Sequence, residues 1–186
     1  MALSAAKVRV FGTGELSVAP VGSTLPSTVS GALDTAFTGL GYNSEDGITI
    51  SRDVSIEDIT AWQSVTPVRR VASETTFSLA GTFLQSDPVV VALALGLGAF
   101  TGSTDFVANA DVVQGVTERA VVLDFKDGTI DYRLVIPRAE ITSDGEVNLT
   151  RTDAAGYALT FTALAPTSGT TMYTLITDDS AFDPTP

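Results

Sequence analysis

The chain is 186 residues long, 44% hydrophobic, with 22 acidic side chains against 10 basic ones and a formal net charge of −12. That length suits one domain, or a domain with an extension, and can bury a good core. It contains no His and no Cys, which removes the usual general base, the thiol nucleophile, the soft metal ligands and any disulfide framework, while the acidic balance opposes a grip on nucleic-acid phosphates.

Residues 1–14 (MALSAAKVRVFGTG) lack a continuous apolar run, so a secretory signal is not expected. Val8, Val10 and residues 14–18 suggest one or two short strands, and the Pro/Gly/Ser-rich residues 19–31 read as an extended loop. The Gly-Thr-Gly at 12–14 resembles a dinucleotide fingerprint only superficially, because the third Gly is missing and no apolar helix follows. Turn punctuation is the better reading.

Residues 39–83 dominate the chain. A Gly-rich turn and the corner Glu45-Asp46-Gly47 lead into a short alternating segment, 48–51, and a longer one covers 74–84. In the latter, Phe77, Leu79 and Phe83 face one side and Thr76, Ser78, Ala80 and Thr82 the other, the pattern of a half-buried strand. Between them, residues 54–73 alternate poorly and are expected as a long inter-strand loop. Such a loop is usually functional or disordered. Disorder fits badly with Val54, Ile56, Ile59, Val65, Val68 and the lone Trp62. These side chains need cover, either from another molecule or, for Trp62, by folding back as a plug into its own core.

Ser86-Asp87-Pro88 supplies a helix start, the run VVVALAL follows, and Gly96 offers a C-cap, predicting a short buried helix over about 87–96 with a buried strand as the competitor. The apolar run there is too short to span a bilayer. Residues 118–137 predict a hairpin turning at Asp127-Gly128, type I′, pairing Phe125 with Ile130, Leu123 with Tyr132 and Val121 with Leu134. That register sets Asp124 opposite Asp131, read either as a solvated face blunted by Lys126 and Arg133 or as an acidic surface. A second hairpin at Ser143-Asp144-Gly145 would pair Ile141 with Val147 and Ala139 with Leu149. Tyr157, Leu159, Phe161 and Ala163 form a further strand, residues 172–177 suggest a last one, and the acidic tail 178–186 is expected to be mobile. The expected fold is mainly β, an antiparallel sandwich or barrel in a single domain, ordered over about 7–177, with its helix after the fifth or sixth strand.

No catalytic or metal set emerges. Glu57-Asp58 and Asp178-Asp179 are merely adjacent in sequence, residues 178–183 lack the Gly and closing Glu of a calcium loop, and Asn148-Leu149-Thr150 falls inside a predicted strand. The chain is not expected to be an enzyme or to use a cofactor.

Several stretches in order resemble the major tail tube proteins of long-tailed, non-contractile bacteriophages. They are residues 14–20 (GELSVAP), Leu40-Gly41-Tyr42 leading to Glu45-Asp46-Gly47-Ile48, residues 51–62 (SRDVSIEDITAW), Val68-Arg69 ahead of residues 75–79, and the apolar helix. Family members often carry a C-terminal immunoglobulin-like domain, for which this chain is too short. The resemblance implies a structural virion protein, assembled in the host bacterial cytoplasm. Six copies would close into a ring, and rings would stack into a hollow tail tube around a tape-measure protein. Terminator and tail-tip proteins would meet its ends, and DNA would pass through without specific binding or any membrane contact. By that analogy Ile56, Ile59, Trp62, Val65, Val68, Arg69 and Arg70 make inter-subunit contacts, and Asp124 and Asp131 are candidates for an acidic lumen. The alternative is a secreted β-sandwich module or adhesin recognising carbohydrate, which calls for a signal or anchor and a row of exposed aromatics; a carboxylate-dependent hydrolase comes third.

Overall fold

The computed structural model of the chain describes residues 7–110, 117–143 and 146–183. Among them run strands β1 (Thr13–Ala19), β2 (Thr38–Gly39), β3 (Asn43–Ile59), β4 (Arg69–Phe83), β5 (Thr117–Asp127), β6 (Ile130–Ser143), β7 (Tyr157–Ala163) and β8 (Thr174–Thr177), with one helix, α1 (Pro88–Leu95). All pairings are antiparallel. The sheet runs β2-β1-β5-β6-β7-β4-β3, with β8 on β6. Only residues 40–42 separate β2 from β3, the two ends of that path, so the sheet must curl round on itself. The Leu40 N–H donating to Leu16 O and the Leu84 N–H donating to Tyr42 O pin the join. This is the antiparallel, mainly β architecture the alternation predicts.

The period-2 pattern explains the core. β7 buries Tyr157, Leu159, Phe161 and Ala163 while Ala158, Thr160 and Thr162 stay half-exposed. They meet Phe77, Leu79 and Phe83 of β4, Leu16 and Val18 of β1, Val121 and Leu123 of β5, and Leu134, Ile136 and Ile141 of β6 in one apolar cluster. α1 closes this cluster with Val90 and Ala94, against β6 and β7. It starts at Pro88, whose missing N–H costs nothing in a first turn, and stops at Gly96, left-handed at φ 61°. The Ser86 and Tyr157 hydroxyls, 3.0 Å apart, tie its entrance to β7.

Other expectations are corrected. The helix follows the fourth strand. Val8 and Val10 lie exposed outside any strand. The β5–β6 turn centres on Gly128 and Thr129, with Asp127 opposite Ile130. Type I′ would need positive φ at both central residues, which a β-branched Thr resists; only Gly128 is positive, at 61°. Shifting the register by two keeps every core residue inward, so alternation alone could not choose. The charges distinguish the two: Asp124 now faces Arg133 and Lys126 faces Asp131. Further along β6, Pro137 and Arg138 bulge opposite Ala120, a place where a residue without an N–H is tolerated.

Asp144 and Gly145 of the second expected hairpin lie outside the described residues. Ile141 and Ala139 pair with Phe161 and Ala163, not with Val147 and Leu149. β7 offers four inward apolar positions where 146–150 offers two, so the longer apolar ladder wins. The 54–73 segment is no loop; it is drawn into β3 and β4, leaving 60–68 as the connection. The tail does not trail free from 178: Asp179 is buried, and a 3-10 turn follows at Ser180–Phe182 with its residues exposed.

Candidate functional site

β7 pairs only with residues 78–83 of β4. Beyond that point β3 and β4 continue alone, from Arg52 opposite Phe77 to Ile59 opposite Arg69. At about 3.3 Å per residue this two-stranded arm reaches roughly 26 Å from the body. A lone hairpin is marginal in water; this one persists as the extension of a ladder rooted in the core. The Val68 N–H donating to Ile59 O closes the arm, and Ser64 Oγ donates to Thr66 O within its tip.

The register sorts the side chains. Arg52, Val54, Ile56 and Asp58 share the face that carries Ile48 and Ile50 in the body, opposite Phe77 and Leu79. The core-facing side of the sheet thus runs out along the arm, where Val54 is half-buried and Arg52, Ile56 and Asp58 are exposed. Asp53, Ser55, Glu57 and Ile59 take the other face, opposite Thr76, Glu74, Val71 and Arg69. A bulge at Ser73, whose Oγ donates to Ser55 O, absorbs the one-residue mismatch.

The seven candidate contact residues therefore gather on one projecting element, and all are exposed. Ile56 lies on the inner face, Ile59 and Arg69 on the outer, and Trp62, Val65 and Val68 in the tip. Trp62 is 100% exposed, which rules out a plug in its own core. Arg70 is on the inner face in an ion pair with Asp58 at 2.8 Å. Val71, also exposed and apolar, belongs with this set and was not singled out from sequence.

The two candidate lumenal acids are both paired. Asp124 accepts from Arg133 Nε at 2.6 Å and Nη2 at 2.8 Å, and Asp131 lies 3.0 Å from Lys126 Nζ. Arg133 is only 6% exposed, and its Nη1 donates to Thr28 O and Gly31 O. One guanidinium thereby fastens the 20–37 loop over β5 and β6. The adjacent Asp124 carboxylate raises the Arg133 pKa.

At the β5–β6 turn the two terminal segments meet. Asp179, 6% exposed, accepts from Arg9 Nε at 2.9 Å and Nη2 at 2.6 Å and from the Tyr132 hydroxyl. The Tyr132 hydroxyl, the Ala181 N–H and Arg9 hold the Asp179 carboxyl down at about 2, and the same hydrogen bond raises Tyr132. Phe11 stands edge-on to Phe125 and Tyr132, and Phe182 edge-on to Tyr132. Nothing in the sequence joined residues 9, 132 and 179, because no local spacing relates them.

Chemistry is thin elsewhere: among the described residues there is no cluster of three acidic groups placed to hold a metal ion, and no helix long and apolar enough to cross a membrane. A family model described as phage tail tube protein matches residues 1–186. The chain belongs to that family. Phage tail tube proteins are structural proteins of the virion tail, and the single antiparallel sheet with one short helix agrees with that membership. Comparison with curated proteins gives no match for this tail tube protein.

Proposed function

We propose that the chain polymerises through its arm into rings, six copies each, that stack into the tube through which phage DNA travels. The observation that carries this reading is surface. The accessible area is 12448 Å², whereas a compact monomer of 19.3 kDa would expose about 8,500 Å². The excess, about 4,000 Å², is of the size that obligate assemblies bury. Six of the exposed large apolar side chains, Ile56, Ile59, Trp62, Val65, Val68 and Val71, stand on the arm, with Trp62 fully exposed at its tip.

In this reading the role is architectural and not catalytic, and the remaining partners are other tail proteins: a tape measure within, terminator and tip proteins at the ends. The net charge of −12 suits a wall past which DNA slides, since binding phosphates requires cations to neutralise them. Asp124 and Asp131 remain the proposed lumenal carboxylates, softened by their ion pairs. Purified protein viewed by electron microscopy should show rings or tubes of uniform bore. A population that stays monomeric at high concentration, folded and with Trp62 still wet by its fluorescence, would refute the proposal.

A further inference from the structure

The strand registers carry an unexpected alignment. Counting from β4 through β7 to β6, the end of β4 that enters the arm lies at the same end of the sheet as Ile130 and Tyr132. β5 and β1 follow the same sense, with Lys126 opposite Thr13, and Tyr132 pairs with Thr177 of β8. The arm, the β5–β6 turn and both terminal segments therefore emerge at one end of the strands.

At that end the terminal segments leave a hollow of about 500 Å³, lined by Phe11, Phe125, Tyr132, Leu175 and Phe182 together with Lys7 and the Arg9–Asp179 ion pair. Phe11, Leu175 and Phe182 are exposed although large and apolar. The protein thus has two unlike uncovered apolar surfaces, a projection and a recess. A contact that repeats around a ring or along a filament joins unlike patches, and an arm of roughly 26 Å is long enough to reach beyond its own body to a neighbour's hollow.

Resting on the tube reading above, we infer that the arm tip of one copy docks in the terminal hollow of its neighbour, with Trp62 seated among the aromatic rings. The chemistry matches. An indole against several rings favours edge-on contacts, and the Lys7 ammonium among the lining residues suits its face, Trp being the best partner for a cation. The need for a built receptor also follows from the cost of association, which the apolar tip must offset by burying Trp62, Val65 and Val68 in a complementary recess. Against a flat or polar surface the arm would hold poorly.

The chain has no native Cys, so two engineered thiols report on each other alone. Full-length Val65→Cys/Leu175→Cys protein, assembled and treated with a short bis-maleimide, should give a ladder of intermolecular products. The control Val65→Cys/Leu149→Cys, with its second thiol on an exposed residue elsewhere, should give none. A second measurement needs no cross-link. Phe182→Arg should raise the concentration required for assembly at least tenfold, while Phe106→Arg, an equally exposed ring, should leave it unchanged. Tubes that form without the specific ladder, or a Phe182→Arg chain that assembles like the native one, overturn the docking while the tube reading stands. Native protein that forms no assembly overturns both.

Discussion

Arg133 shows how much one buried cation can organise. Its guanidinium serves both Asp124 oxygens and two loop carbonyls at once, so removing it takes the Arg133 donor from four acceptor atoms. Because the Asp124 side chain is 30% exposed, water can return to part of the site, and Arg133→Met should destabilise by about 2 kcal/mol, less than a fully buried pair would cost. Urea unfolding measures this, and amide exchange in the 20–37 loop should rise in the same variant. Asp179 gives a pH prediction. Its carboxyl sits near 2 instead of 3.8, so its contribution is fully present above the unfolded value and fades as the pH falls from about 4 to about 2. Between neutral pH and about pH 2.5 the native chain should lose more stability than Asp179→Asn, which starts lower and has no such carboxylate to protonate.

At the scale of elements, the body and the arm use the same β-pattern for opposite ends. Leu159 is buried among strands of its own subunit, and Leu159→Ala should cost about 2–5 kcal/mol. Ile56→Asp and Trp62→Ala on the arm should shift the unfolding midpoint by no more than about 0.5 kcal/mol yet abolish or strongly impair assembly, read by sedimentation. Legibility in the sequence divides along the same line. β7, the inward side of β4 and α1 could be read because their apolar periods are clean and their ends carry turn residues. The arm could not be read as strands because alternation shows only where one face is dry, and in the isolated subunit neither face of residues 52–59 is. What did show there was hydrophobicity without a home, which pointed to residues that stand exposed on the arm but to the wrong secondary structure. The β5–β6 register was missed for another reason: pleat parity is blind to a two-residue slip, and the choice lay in Thr129 and in the Asp124–Arg133 pair. The Arg9–Tyr132–Asp179 cluster is purely a product of topology.

For the whole molecule, charge and apolar area pull against each other. At least five of the ten cations, Arg9, Arg70, Lys126, Arg133 and Arg138, are engaged in ion pairs within the chain, which leaves an acidic exterior that repels its own copies. Apolar burial must overcome that repulsion, and salt screens it without weakening the burial. The concentration needed for assembly should therefore fall when ionic strength rises from about 0.01 M, where the screening length is about 30 Å, to about 0.15 M, where it is about 8 Å. Light scattering across a salt series measures this, and a rise would mean that cross-subunit ion pairs, not apolar contacts, hold the copies together.

The emergence of both terminal segments beside the arm bears on how this protein can be handled. An affinity handle or fluorescent fusion at either end would crowd the region at which we propose that copies meet, and is expected to yield well-behaved single subunits in place of the proposed polymer. The small bridge between Thr101 and Val107, in the loop after α1 and outside both the arm and the hollow, is the better place to graft such cargo.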